Sequence, residues 1–293
     1  MSMGKITLKK LYSQRSKHSN YQILSKKLSK IIGNNEIKVK TRYEVERLEY
    51  ILKNIDVNDK LILDIGGNTG FFTFEMLDNG AKKVYYYEGN NVHSEFVRLS
   101  AKVLNIENKI EITNKYFSFE DEFNKNKYDI ILLLNVLHHI GDDYGDNKLS
   151  MEKAKETIIK QVNTLADTTE IIVFQMGFNW KGNRELYFFE NGTKEEMISF
   201  IKKGIKNHWE ILKIGVAEDR SGAIGYYDLN EVNINRYDYL GEFLNRPIFI
   251  MKSARWLFTK CNKKGLIFNV ENISEWAYSH CHKPTPMLID ETT

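Results

Sequence analysis

Leu61-Ile62-Leu63-Asp64-Ile65-Gly66-Gly67-Asn68-Thr69-Gly70-Phe71-Phe72 reads as a buried strand that runs into a glycine-rich turn and leaves it as a helix. Glycines at 66, 67 and 70 let the backbone turn sharply and let a ligand lie directly against the main chain, where a Cβ would collide. The next apolar run, Val84-Tyr85-Tyr86-Tyr87-Glu88, ends in an acid 24 residues after Asp64. A carboxylate at that place can accept hydrogen bonds from both hydroxyls of a ribose. Turn and acid together predict a site for a nucleoside cofactor.

Working outward, apolar runs alternate with helix-like segments at the spacing that parallel βαβ units need. Strands are predicted at Lys60–Gly66, Lys83–Glu88, Lys109–Thr113, Tyr128–Asn135, Glu170–Met176, Trp209–Ala217 and Pro247–Met251. Seven strands in that rhythm predict an α/β fold with a doubly wound, seven-stranded, mostly parallel Rossmann-like sheet. The uninterrupted runs Leu61-Ile62-Leu63 and Ile130-Ile131-Leu132-Leu133-Leu134 mark strands buried on both faces, hence central neighbours. Helical periodicity covers Asn91–Leu104, Lys148–Leu165 and Thr193–Ile205, the last with Thr193 and Glu196 spaced as a capping box. The chain divides into a basic N-terminal arm at 1–41, a catalytic domain at 42–253 and a C-terminal extension at 254–293. Two insertions, 177–192 and 222–245, interrupt the catalytic domain, and a helix is expected near Arg42–Asn54.

The spacing of the glycines selects the cofactor. A dinucleotide fingerprint is G-x-G-x-x-G, because the pyrophosphate must rest on the backbone N–H groups of the helix N-terminus. This chain has Asp-x-Gly-x-x-x-Gly instead, and a carboxylate at 64 repels a pyrophosphate but suits a cationic ammonium. Here the sequence resembles the class I S-adenosylmethionine-dependent methyltransferase superfamily, over roughly Arg42 to Ser253. The resemblance implies S-adenosylmethionine as cofactor and S-adenosylhomocysteine as product. It places Asp64, Gly66, Gly67, Asn68, Gly70 and Glu88 around the cofactor, with Phe117, Ser118 and Glu120 beside the adenine. It also places Asn135 under the sulfonium arm, and His138 and His139 toward the transferring methyl group. An imidazole titrates near neutral pH, so either ring is a candidate general base; the alternative is a histidine that only shapes the pocket. Within the superfamily, Ile37–Tyr50 and Val136-Leu137-His138-His139 are similar to enzymes that modify the tRNA wobble uridine, with His138 where tyrosine is expected.

Substrate recognition is expected from the additions, since the sheet is occupied with the cofactor. His18 and Tyr21 in the arm (with Tyr12), Arg42 before the first strand, Trp180, Arg184 and Tyr187 after the fifth, and Tyr226 and Tyr227 are the candidate lining. Rings with scattered cations fit a sugar, a nucleotide or an aromatic ring equally well. Arg42 has an alternative use in a helical-spacing ion pair with Glu46. No metal is assigned. The two sets weighed for one are Cys261, His280, Cys281 and His282, whose spacing lacks paired CxxC, and the acidic loop Asp142, Asp143 and Asp146.

Bulk properties exclude other classes. Hydrophobic residues make up 42% and charged residues 28%, a globular balance. No run is long enough to cross a bilayer, the first ten residues lack a signal peptide's apolar stretch, and two cysteines cannot frame the fold. A cytoplasmic address is expected. The net charge of +3 hides an asymmetry: residues 1–42 carry eleven basic side chains against Glu36, or +10, leaving −7 for the rest. A basic arm on an acidic body favours an anionic partner, unless it is an amphipathic cover for the domain. The reaction expected is methyl transfer to an oxygen or nitrogen of a small molecule or glycan, phosphorylated or lipid-linked in keeping with the arm, with peripheral membrane contact open. RNA modification is the alternative within the class. A nicotinamide-dependent oxidoreductase and a non-catalytic cofactor-binding subunit are the alternatives outside it.

Overall fold

The computed structural model describes residues 3–14, 18–19, 21–33, 39, 41–120 and 127–255. Cys261, His280, Cys281 and His282 lie outside them, as does all but the first two residues of the expected C-terminal extension. The strands are β1 (Leu61–Ile65), β2 (Lys83–Tyr87), β3 (Ile110–Thr113), β4 (Tyr128–Leu134), β5 (Thr169–Gln175), β6 (Trp209–Arg220), β7 (Ala223–Asp228) and β8 (Ile248–Ser253). They form one sheet in the order β3-β2-β1-β4-β5-β8-β6-β7. The pairings among β1 to β5 are all parallel, and β8 runs antiparallel to both of its neighbours, as β7 does to β6. β1 pairs with β4 from Ile62↔Ile130 to Ile65↔Leu133, so the two uninterrupted apolar runs are neighbours as expected.

The sheet has eight strands rather than seven. The added strand, β7, lies in the segment expected to be a polar insertion, and it pairs as a hairpin with a β6 that extends past Ala217 to Arg220. Ser221 and Gly222, at φ 59° and 86°, make the reversal in the left-handed region that a tight hairpin requires. Glu218, Asp219 and Arg220 gave this edge the look of a loop, because an edge strand needs no apolar alternation.

Helices cover both faces, because β4 buries alternate residues on each. Ile131 and Leu133 pack with Ala154, Ile158 and Val162 of α6 (Met151–Thr164) and with Met197 and Ile201 of α7 (Lys194–Gly204). Ile130 and Leu132 pack in the other cluster, with Phe74 of α4 (Phe71–Asp78), Phe96 and Val97 of α5 (Asn91–Val103), and Leu48 and Ile51 of α3 (Glu44–Asn54). The capping box formed where the sequence put it, and Asn90 adds a cap at α5. Asn90 accepts from Val92 N at 2.9 Å, and Thr193 and Glu196 close a capping box at α7.

The N-terminal arm is part of this second core. Its helices α1 (Met3–Ser13) and α2 (Lys26–Ile32) bury Leu8, Tyr12, Leu28 and Ile32, each side chain contributing about 1.5–3 kcal/mol by leaving water. Lys26, Lys27 and Lys30 of α2 therefore ride on an amphipathic cover, Lys27 pairing with Asp78 of α4.

Candidate active site

A cavity opens at the carboxyl ends of β1, β2 and β4, where ligands bind in open α/β sheets. Its floor is the turn after β1. Gly66 has φ 71°, and a Cβ there would meet Val136 Cγ2 at 2.6 Å. A Cβ on Gly67 would lie 2.5 Å from the Tyr86 ring and 2.9 Å from Asp64 Oδ2. The turn is tied to β2 by hydrogen bonds that Gly66 N (2.8 Å) and Gly67 N (3.2 Å) donate to Tyr87 O, and Tyr86 Oη donates to Asn68 O. Glu88 holds it from the other side, accepting from Asn68 N at 2.9 Å and Asn90 N at 2.8 Å. A carboxylate has about four lone-pair sites, so these two bonds leave acceptor capacity for ribose hydroxyls.

Asp64 and Glu88 both line the cavity, and burial pushes both acids up. Asp64 rises to about 6, opposed by the hydrogen bond it accepts from Thr73 Oγ1 at 2.6 Å and reinforced by the charge of Glu88. A buried carboxylate in that condition is short of positive charge, and an ammonium group in the cavity supplies it. The donor set therefore fits a nucleoside carrying a cationic amino-acid tail. It does not fit a dinucleotide: Phe71 N, at the start of α4 where a pyrophosphate would rest, donates to Gln22 Oε1 of the arm at 3.1 Å.

Phe117 stands on the cavity wall against Tyr87, with Tyr116 beside it; Ser118 is half-buried, Glu120 is exposed, and neither lines the cavity. Asn135, at φ 62°, belongs to a polar network at the ends of β4 and β5. Its Nδ2 donates to Gln175 Oε1 at 2.9 Å and its Oδ1 accepts from Arg246 Nη1 at 2.7 Å. Arg246 pairs with Glu242 at 2.5 Å, and Arg47 Nη1 reaches the same Gln175 oxygen at 3.3 Å. Arg47 is 4% exposed yet borders the cavity, lying over the rings of Phe72 and Phe243. Arg47, Gln175, Glu242 and Arg246 carry no local motif, so the sequence reading missed them.

The two histidines after β4 part company. His138 is buried at 2% exposure with its edge against Gly177, does not line the cavity, and is held neutral by burial. His139 does line it. Burial lowers its pKa to about 4, and its Nδ1 lies 3.5 Å from Asp143 Oδ2. His18 comes from the arm to the same carboxylate, Nε2 to Oδ2 at 2.8 Å, with its ring 5.0 Å from that of His139.

Of the acceptor candidates, His18, Tyr21 and Arg42 reach the cavity, with the Arg42 guanidinium 3.9 Å over the Tyr21 ring rather than at the surface. The others do not line it. Trp180 is a core residue whose Nε1 donates to Ile140 O at 2.7 Å, and Arg184 and Tyr187 are exposed. Tyr226 is buried beside Tyr50, Tyr227 lies under Arg220, and Tyr12 packs on Phe96. Trp180, Tyr226 and Tyr12 serve packing, and Tyr187 and Tyr227 lie outside the cavity; the insertions do reach the carboxyl ends of the central strands, but through other contacts, Trp180 bracing the segment after β4 and Phe243 lining the cavity. Gly67 and Gly70 act through the turn's backbone and do not line the cavity. The acidic loop splits as well: Asp143 faces inward, whereas Asp146 accepts from Lys148 N at 2.9 Å.

The strand order, the antiparallel edge and the position of the cavity make this a Rossmann-like methyltransferase fold. No model of a known protein family matches the chain. A stretch of 106 residues is 26% identical to the tRNA U34 carboxymethyltransferase of Helicobacter acinonychis (strain Sheeba), covering 36% of this chain and 40% of that protein. The enzyme of the same name from Helicobacter pylori (strain G27) is also 26% identical over 106 residues, covering 36% of this chain and 41% of its own length. The chain thus spans less than half the length of the curated relatives it matches. Among solved structures, the bifunctional kinase-methyltransferase WbdD superposes with a TM-score of 0.53 at 14% identity, covering 84% of this chain and 47% of that one. These relatives and this neighbour are named as methyltransferases, and the likeness to the solved structure is one of fold.

Proposed function

We propose that this chain is an S-adenosylmethionine-dependent methyltransferase acting on an oxygen or nitrogen of an anionic small molecule or glycan. The observation that carries the reading is one cavity bordered by Asp64, Glu88, Asn135 and His139. When bound, the cofactor supplies an electrophilic methyl carbon on a cationic sulfur. The chain's residues do the rest by holding and aligning, which provides the larger part of catalysis in a displacement between bound partners. Asp64 takes the ammonium, Glu88 the ribose, and Phe117 with Tyr116 the adenine. Asn135, fixed by Arg246 and Gln175, sets the far wall, and the arm's Gln22 and His18 keep water from the turn. His139, not His138, meets the acceptor. Arg42 and Arg47 give the acceptor side positive charge, which supports an anionic substrate. On this reading residues 42–253 are the catalytic domain, the arm completes the pocket, and the protein works in the cytoplasm; no helix among the described residues is long and apolar enough to cross a membrane.

Calorimetric titration with S-adenosylhomocysteine, with NADH as control, tests the cofactor. Selective binding of the former is expected, and binding of NADH alone would return the chain to the oxidoreductases. Transfer of labelled methyl from the cofactor to a panel of phosphorylated sugars then separates an enzyme from a subunit that only binds. A second reading, transfer of a methyl or carboxymethyl group to tRNA, is favoured by the match to the U34 carboxymethyltransferases and by the same two arginines. Tight, salt-dependent binding of tRNA supports it, and its absence supports the small acceptor.

A further inference from the structure

We propose that His18, His139 and Asp143 form a binding site for one divalent transition-metal ion at the wall of the cavity. A ring nitrogen of each histidine and a carboxylate oxygen of Asp143 lie within 4.8 Å of one another, and theirs is the sole such cluster among the described residues. The ligands converge from chain segments 125 residues apart. His18 sits in a turn of the arm with φ 61°, a conformation that a non-glycine residue adopts at some cost, and the cost brings its ring over the end of β4. His139 follows β4 in a short helical turn, and Asp143 lies one turn further on. All three border the cavity.

Hydrogen bonding accounts for only part of this arrangement. His18 Nε2 and Asp143 Oδ2, at 2.8 Å, are a good pair, but His139 Nδ1 is buried without a hydrogen-bond partner, 3.5 Å from the same oxygen. A buried imidazole nitrogen without a partner is costly, and a cation among the three donors satisfies it. Ligand bonds of about 2.0–2.2 Å put neighbouring donors about 3–3.5 Å apart. His139 and Asp143 already stand at that separation, and His18 must withdraw by a few tenths of an ångström. Two imidazoles and one carboxylate prefer zinc, iron(II), cobalt or manganese to magnesium, and three protein ligands leave coordination positions open toward the cavity. Glu88 lies close enough to His18 and Asp143 to add negative charge. Resting on the methyltransferase reading, the ion's use is to bind the acceptor hydroxyl oxygen and lower its pKa, so that its proton passes to solvent water and the ionised oxygen is the nucleophile; the metal site itself does not depend on that reading.

The test uses full-length protein stripped with chelator and titrated with cobalt(II), read by visible absorption, with S-adenosylhomocysteine affinity measured on the same samples. Uptake of one cobalt per chain is expected. Affinity should fall about tenfold or more in His18→Ala, His139→Ala and Asp143→Asn. As a readout that needs no variant, cobalt should selectively shift or broaden the NMR signals of the His18 and His139 rings in the unaltered protein. No uptake, uptake undiminished in the variants, or ring signals left unmoved overturns the site. Loss of nucleoside binding with cobalt binding intact overturns the methyltransferase reading instead and leaves the metal site standing.

Discussion

The turns after β1 and after β4 border one cavity and differ in what holds their side chains. The backbone of the first is set by itself and the next strand: Gly70 N donates to Gly67 O at 2.9 Å, Thr69 N to Asn68 Oδ1 at 2.9 Å, and further ties go to Tyr86, Tyr87 and Glu88, with His18 and Gln22 of the arm laid over it. The second closes its backbone locally too, His139 N donating to Val136 O at 3.0 Å, but its side chains are held from distant segments. Asn135 is fixed by Gln175 and Arg246, and the His139–Asp143 pair receives His18 from the other end of the chain. A turn whose backbone is set by its own strand pair suits a cofactor of fixed shape. Side chains held from a distant segment can change near residue 246 to suit a new acceptor, whereas the arm touches both turns and a change there reaches the cofactor side as well.

That division breaks or sharpens through substitutions on either side. The largest effect is expected at His139: replacement by alanine should lower turnover about 10²–10⁴-fold and leave S-adenosylhomocysteine affinity nearly unchanged. His138→Ala should act on thermal stability instead, and equal kinetic defects in the two variants would abolish the distinction between the rings. On the cofactor side, Glu88→Gln should weaken S-adenosylhomocysteine by about 10–100-fold in calorimetry, the worth of a charge-assisted hydrogen bond. A change confined to acceptor KM would move Glu88 out of the cofactor site.

Asp64 carries a smaller effect with a defined pH dependence. Its acid is raised from 3.8 to about 6 by burial, so the native state holds a proton that the unfolded state has lost across that window. Stability therefore falls as pH rises from about 4 to 6, and the deficit is complete above 6. Asp64→Asn should stabilise the ligand-free protein by about 1–3 kcal/mol at pH 8 and by little at pH 4, while weakening S-adenosylhomocysteine. Equal stabilisation in chemical denaturation at both pH values would break the argument. The smallest effect belongs to Tyr187, 58% exposed and away from the cavity. Tyr187→Ala should change stability by less than about 0.5 kcal/mol and kcat/KM hardly at all. A large loss there would restore the insertion at 177–192 to the acceptor site.

The same contrast governs what could be read in advance. The sheet, its central pair β1 and β4, the capping box at Thr193 and the cofactor turn were legible because each is written in a short window: an apolar period, an N-cap with Glu196 three residues on, glycines before a helix. The hairpin strand β7 escaped because it is a short edge strand in which Gly225 and Tyr227 leave no apolar period. The arm's basic count left open both an arm for an anionic partner and an amphipathic cover; Leu8, Leu28 and Ile32 are buried, so deleting residues 1–40 would open the core as well as remove charge. Trp180, Tyr226 and Tyr227 were plausible acceptor contacts by residue type alone, and type does not tell a ring in a cavity from a ring in a core.

The sequence by itself determined the class of fold and the turn and acid of the proposed cofactor end. Strand burial, the Asp64 turn and Glu88 are set by period and by backbone sterics acting over a few residues. Only the tertiary structure decided which histidine faces the cavity, that Arg47, Gln175 and Arg246 brace Asn135, and that His18 comes to Asp143. Those contacts join residues 40 to 128 positions apart, and no local rule of the chain contains them. Their geometry follows from how the arm, α3 and the segment before β8 pack around the carboxyl ends of the strands.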